Sequence, residues 1–317
     1  MVKMKKIVIC VALLVIVLFL TSCSYSPAAG EKAQDTASLL KQVKTGTLGL
    51  EMKFLPNYPA PTIYDTTEFL ALAEVWNRGA HDLSPGDCFL ELTGYDKKIM
   101  KGIYYRKSCI SGTELEGKKA YNLKGSFNQI EFKSSSIALP TGVDVYNPNL
   151  NLVGCYEYAT SANPMVCVEN PLYQVSSKQK SCIVKDISMS GQGAPVGVSY
   201  VDAEMAGKKA IFSITVKNFG KGRVLSPLSS LSNCPNTLVY SDFDKVGYSV
   251  SLSGGSLVSC KPADGYVRLV NDLGKILCTF SIGNTQSYET PLMIDLDYNY
   301  MDSLQKQIKI IKTPGYD

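Results

Sequence analysis

The chain predicts an all-β protein of two tandem β-sandwiches behind an N-terminal anchor. Three observations predict it. Short alternating apolar runs are broken by Gly, Pro, Asn and Asp over most of its 317 residues, an internal repeat recurs, and a secretory-type leader precedes an even number of cysteines.

The leader comes first. Lys3, Lys5 and Lys6 form a basic start and residues 7–20 an uninterrupted apolar stretch, shorter than the ~20 residues a spanning helix needs. Leu20-Thr21-Ser22-Cys23 resembles the lipobox of bacterial-type and some archaeal lipoproteins. The resemblance implies a signal peptide over residues 1–22, lipidation of the Cys23 thiol, and Cys23 as the first mature residue. A retained signal anchor is the alternative, with Cys10 an ordinary apolar residue. Either way residues 24–317 are expected outside the cytoplasm, held to a membrane. Residues 23–44, rich in Ser, Pro, Ala and Gly with mixed charge, read as a tether containing a short helix where Asp35 caps residues 36–43.

Composition bounds the rest. Hydrophobic residues make up 45% and charged ones 19%, enough apolar material for folded cores. Loss of the three leader lysines leaves 29 basic residues against 28 acidic. Near neutrality without a basic run argues against nucleic acid as a partner. Cys88, Cys109, Cys155, Cys167, Cys182, Cys234, Cys260 and Cys278 remain and read as disulfide candidates of an exported chain. No two lie at the short spacing of a zinc site, so no metal is expected. The preferred pairings are Cys155 with Cys167, across a hairpin at Ser161-Ala162-Asn163-Pro164, and Cys260 with Cys278. Cys88 with Cys109 and Cys182 with Cys234 would keep every bridge within one domain, although four cysteines in a domain allow three pairings.

The repeat sets the domains. Val75, Asn77 and Gly79 match Val216, Asn218 and Gly220 at an offset of 141, each followed by Leu-Ser-Pro at residues 83–85 and 225–227. Tyr156 and Tyr158 match Tyr298 and Tyr300, and Val166 and Val168 match Ile308 and Ile310, at an offset of 142. A repeat of this length suits a sandwich, giving domains at 45–178 and 179–317. Strand alternation turns Ala71, Ala73 and Val75, with Phe212, Ile214 and Val216, toward the core and Trp76 and Lys217 outward. Asn is expected to bond nearby backbone where the strand ends, and Gly to take a conformation closed to other residues. The pattern, a central strand running into Asn-x-Gly, resembles the tandem Ig-like modules of cell-surface proteins, in particular the CARDB-type adhesion-related domains. Residues 102–125 form an insertion outside it. The resemblance implies an extracellular binding or spacing module.

Catalytic chemistry finds little footing. The single histidine, His81, reads as a solvated loop residue, and no nucleophile-elbow, zinc-protease or phosphate-loop motif occurs. Asp295, Asp297 and Asn299 begin like a calcium loop, but Tyr300 replaces the required Gly and Lys306 the bidentate acid. No catalytic residue, cofactor or metal site is therefore expected. Trp76, Tyr104 and Tyr105 are candidate partner contacts, since outward aromatics anchor proteins or stack on sugars. The expected function is non-enzymatic: an adhesion, scaffold or protein-interaction module meeting an envelope protein or glycan. The alternative is a ligand-binding lipoprotein.

Overall fold

The strand Leu70–Asn77 alternates half-buried and buried side chains, with Ala71, Ala73 and Val75 fully covered. It lies between Leu50–Phe54 and Phe127–Lys133, antiparallel to both. Its repeat counterpart Lys209–Asn218 buries Phe212, Ile214 and Val216 in the same way, between Val196–Ala206 and Leu273–Ile282. The chain is thus all-β, built as a sandwich whose inner faces alternate as the sequence pattern requires. This computed structural model describes residues 36–170, 181–283 and 286–315. The leader, Cys23 and the boundary expected near residue 178 lie outside the described residues, while the helix Thr36–Val43 forms where expected.

Two long strands make the second layer and join the halves. Asn149–Ala162 runs antiparallel to Tyr288–Gln307, with Asn149 opposite Gln307 and Ala162 opposite Ile294. Together they centre a sheet that, among the described residues, has eight strands. Glu157 faces Asn299, its own counterpart at the repeat offset, so an approximate twofold axis passes between them. The end of each repeat then crosses over to the other. Val166 pairs with Thr290, and Lys309–Ile311 inserts between Thr62–Tyr64 and Val145–Tyr146. One apolar core runs through both halves, and Leu39–Asp317 forms one compact unit.

This geometry corrects the hairpin expected at Ser161-Ala162-Asn163-Pro164. The chain goes straight on, and Met165–Val168 continues along the same partner in the same register. Proline removes a donor but keeps its carbonyl, and that of Pro164 accepts the Leu292 N–H at 3.0 Å. Twelve residues of extended chain span roughly 40 Å, which separates Cys155 from Cys167. Cys155 instead joins Cys234, and Cys167 joins Cys182, while Cys88–Cys109 and Cys260–Cys278 close as expected. The Cys155–Cys234 bridge links the two repeats, so the bridges are not confined to single halves.

Cys234 belongs to a feature of the second half alone. After Leu83-Ser84-Pro85 the first half enters its next strand, Cys88–Thr93, almost at once. After Leu225, residues 226–244 make a strap over the outer face of the central sheet. Leu231, Leu238 and Phe243 pack there on Val153, Cys155 and Leu225 as a small second core. Arg106 fastens the strap by donating to the carbonyls of Leu231 at 2.7 Å and Cys234 at 2.6 Å, while pairing with the buried Glu91 at 3.2 Å. Asn236 donates to the same carboxylate.

Candidate functional site

The repeated motifs meet at two buried corners. Asn77 ends its strand with all four hydrogen-bonding valences used. Its Oδ1 accepts from the Gly79 N–H at 3.3 Å and the Tyr158 hydroxyl at 3.0 Å, and its Nδ2 donates to the carbonyls of His81 at 2.7 Å and Leu115 at 2.9 Å. Asn218 repeats the pattern. It accepts from Gly220 at 3.2 Å and Tyr300 at 3.1 Å, and donates to the Gly222 carbonyl at 3.1 Å and the Asp272 carboxylate at 2.9 Å.

The reason for glycine in the motif is corrected here. Neither Gly79 nor Gly220 has a positive φ. A Cβ on Gly79 would lie 1.9 Å from the Tyr158 hydroxyl, and one on Gly220 2.2 Å from that of Tyr300. Lack of space, rather than backbone conformation, excludes a side chain: the tyrosine fills it at Gly220, and the tyrosine together with the carbonyls of Leu48 and Gly193 fills it at Gly79.

Four tyrosines fill the seam between the repeats. Tyr156 and Tyr300 rings lie 5.6 Å apart and Tyr158 and Tyr298 rings 6.4 Å apart, all four fully buried. Burial pushes every one of these phenols above its ordinary pKa, so they stay protonated. Aromatic side chains at this junction are core, not the lining of a cleft. A groove of about 1020 Å³ does open beside the crossing point, lined in part by Lys41, Lys44, Ser161, Asn163, Ser188 and Gln192. None of the described residues lining it is aromatic.

The candidate contacts do not form one surface. Trp76 points outward as the alternation requires, but neighbours engage its ring: Phe127 stacks on it at 4.3 Å and the Arg78 guanidinium lies 4.1 Å from its centre. Its Nε1 donates to Glu74 at 3.0 Å, and that carboxylate also pairs with Lys53 at 2.7 Å. Hydrogen bonds from Lys53 and Trp76 hold Glu74 below its ordinary pKa. Tyr104 and Tyr105 sit beside Arg106–Ser108, at the edge of the other layer. Tyr104 is 72% exposed, and Tyr105 carries Lys97 at 4.3 Å from its ring.

His81 is not the solvated loop residue expected. It is half-buried with its ring 5.2 Å from that of Tyr158, and desolvation lowers its pKa, which favours the neutral imidazole. Neighbouring Asp82 is engaged by Lys119 at 2.6 Å and the Gly117 N–H at 2.9 Å. The Asp295–Asn299 stretch lies within the strand Tyr288–Gln307, with Ile294, Leu296, Tyr298 and Tyr300 buried in alternation. Among the described residues, no group of three or more His, Cys, Asp or Glu is placed to hold a metal ion.

Sequence reasoning passed over Lys245, Tyr266, Arg268 and Tyr240. A local signal was available for three of them: alternation around the apolar Val246 and Val267 turns Lys245, Tyr266 and Arg268 outward, while Tyr240 lies outside both strands, in the turn Tyr240–Asp242.

Comparison with protein-family models and with curated proteins finds no match. Among solved structures, the secreted serine protease VesC from Vibrio cholerae aligns over 82% of this chain and 51% of its own length, with 11% identity and a TM-score of 0.21. The chain therefore spans about half of that protein, and a likeness at this level carries no argument about fold or activity.

Proposed function

We propose that the chain is a non-enzymatic, membrane-anchored surface protein of the extracytoplasmic space, serving as an adhesion, scaffold or protein-interaction module of Ig-like build. The observation that carries this reading is the filled seam. Two repeats fused through a continuous sheet, with four tyrosines packed between them, make a stiff body that presents outer faces instead of closing on a ligand. Four disulfides fit an oxidising compartment outside the cytoplasm. The anchor in this reading rests on the leader sequence; no helix among the described residues is long and apolar enough to cross a membrane.

The test is capture of an envelope partner by the soluble fragment starting at residue 24. A stable partner is expected, and Trp76→Ala should not abolish its capture, because Phe127 and Arg78 already engage that ring. Failure to retain any envelope component would sink the reading. Mass spectrometry of the mature N-terminus should find a lipidated Cys23; a free thiol or an uncut signal would overturn that anchor. The alternative, a ligand-binding lipoprotein, is favoured by the groove beside Lys41 and Lys44. It would require a small anionic ligand whose binding is lost in Lys41→Gln/Lys44→Gln.

A further inference from the structure

The outer face of the second half carries an arrangement that folding alone does not require. Lys245 and Arg268 are direct cross-strand partners, and like charges placed opposite each other destabilise a sheet. Among the described residues neither makes an ion pair. Three nearby acids are committed elsewhere, and Asp297, which lies over Gly247 on the same outer face, pairs with neither cation. Asp244 pairs with Arg223 at 3.3 Å, and Asp242 accepts from the Ser229 hydroxyl and the Val239 N–H, each at 2.9 Å. Asp264 accepts the Tyr266 N–H at 3.3 Å. Each free cation instead lies against an aromatic ring: Lys245 is 4.4 Å from the centre of Tyr266, and Arg268 is 4.8 Å from that of Tyr240. Tyr240 is 82% exposed.

We propose that Lys245, Arg268, Tyr240 and Tyr266 form a binding face for an acidic polysaccharide. The proposal rests on the surface-scaffold reading and names the chemistry of its partner. Two unneutralised cations supply charge complementarity to a sugar acid, while a tyrosine ring offers its face to the apolar C–H side of a pyranose. The strands hold these groups on a rigid, extended surface, which suits a chain of sugars better than a single small anion.

The test uses the full chain isolated from its membrane in neutral detergent and run in native gels containing polygalacturonate or neutral dextran. Polygalacturonate should retard it and dextran should not. Lys245→Gln/Arg268→Gln should bind about fivefold more weakly, the effect of losing two exposed ion pairs, whereas Lys245→Arg/Arg268→Lys should bind as the parent does. Tyr240→Ala, at an exposed site, should also weaken retardation and gives a readout independent of the charged pair. Soluble galacturonate oligomers should compete, and glycerol phosphate, a lipid-headgroup probe, should not. Equal retardation of the Gln variant, or competition by glycerol phosphate, overturns the assignment. A chain that ignores the polysaccharide yet still captures an envelope protein overturns this assignment alone; one that captures neither overturns both readings.

Discussion

The Asn77 and Asn218 corners use the same three side-chain groups, asparagine, glycine space and a seam tyrosine, yet close them differently. At Asn77 the last partner is the backbone carbonyl of Leu115, supplied by the insertion at residues 102–125, and the amide is fully buried. At Asn218 the last partner is the carboxylate of Asp272, and the site is 7% exposed. A repeat conserves the geometry of a corner, while each half finds its own way to satisfy the final donor. Buried amides with every valence engaged leave little freedom for substitution.

The largest effect should come from breaking the drier corner. Asn77→Ala takes the partner from the buried Tyr158 hydroxyl, the Gly79 N–H and the His81 carbonyl, leaves the Leu115 carbonyl only its bond from the Leu83 N–H, and should cost about 3–4 kcal/mol in chemical denaturation. Asn218→Ala should cost about 1 kcal/mol less, because water reaches the corner more readily. Equal losses would mean that the difference in closure has no energetic weight. Next comes the strap, which has no counterpart in the first half. Replacing Cys155 and Cys234 together by alanine should lower stability by about 3 kcal/mol and loosen residues 226–244 in hydrogen exchange. Protection retained throughout the strap would show that Arg106, Glu91 and Asn236 suffice to hold it.

The glycines sharpen the comparison through rescue. Gly79→Ala meets the carbonyl oxygens of Gly193 at 2.6 Å and Leu48 at 2.7 Å as well as the tyrosine, whereas Gly220→Ala meets the Tyr300 hydroxyl, with Pro195 Cβ next at 3.1 Å. Each alanine should cost about 1–3 kcal/mol. Adding Tyr300→Phe should recover part of the Gly220→Ala loss, because it removes the clashing oxygen. Adding Tyr158→Phe should recover little at Gly79, where backbone atoms remain in the way. Thermal unfolding of the four variants decides the matter.

These corners also show how far the sequence could be read. The inward faces of Ala71, Ala73 and Val75, and of Phe212, Ile214 and Val216, follow from period-two alternation, a local property. The repeat located Asn77, Tyr158, Asn218 and Tyr300 without revealing that they touch. Contacts between residues 81 or 82 positions apart depend on strand pairing, which no local pattern specifies. The same cause misdirected Cys155. An Asn-Pro pair ordinarily signals a turn, but the long partner strand overrides it and carries the chain straight. The outward aromatic Trp76 was legible, whereas the engagement of its ring by Phe127 and Arg78 required the register of a third strand.

The smallest effect lies on the approximate axis itself, where Glu157 faces Asn299. Asn299 is buried beneath the strap and donates to the carbonyls of Ser226 at 3.2 Å and Ser229 at 2.7 Å. Glu157 reaches solvent, but desolvation raises its pKa, and the charges of Asp87 and Asp297 raise it further. A carboxyl whose pKa is higher in the fold than in the unfolded chain destabilises the fold while ionised. That penalty is full above the folded pKa and disappears as pH falls below the ordinary carboxylate range. Glu157→Gln should therefore be more stable than the parent at pH 7, by no more than about 0.5 kcal/mol after solvent screening, with the gain vanishing near pH 4. Denaturant midpoints measured across that range provide the check, and a gain that grows toward acid would reverse the sign of the electrostatic argument.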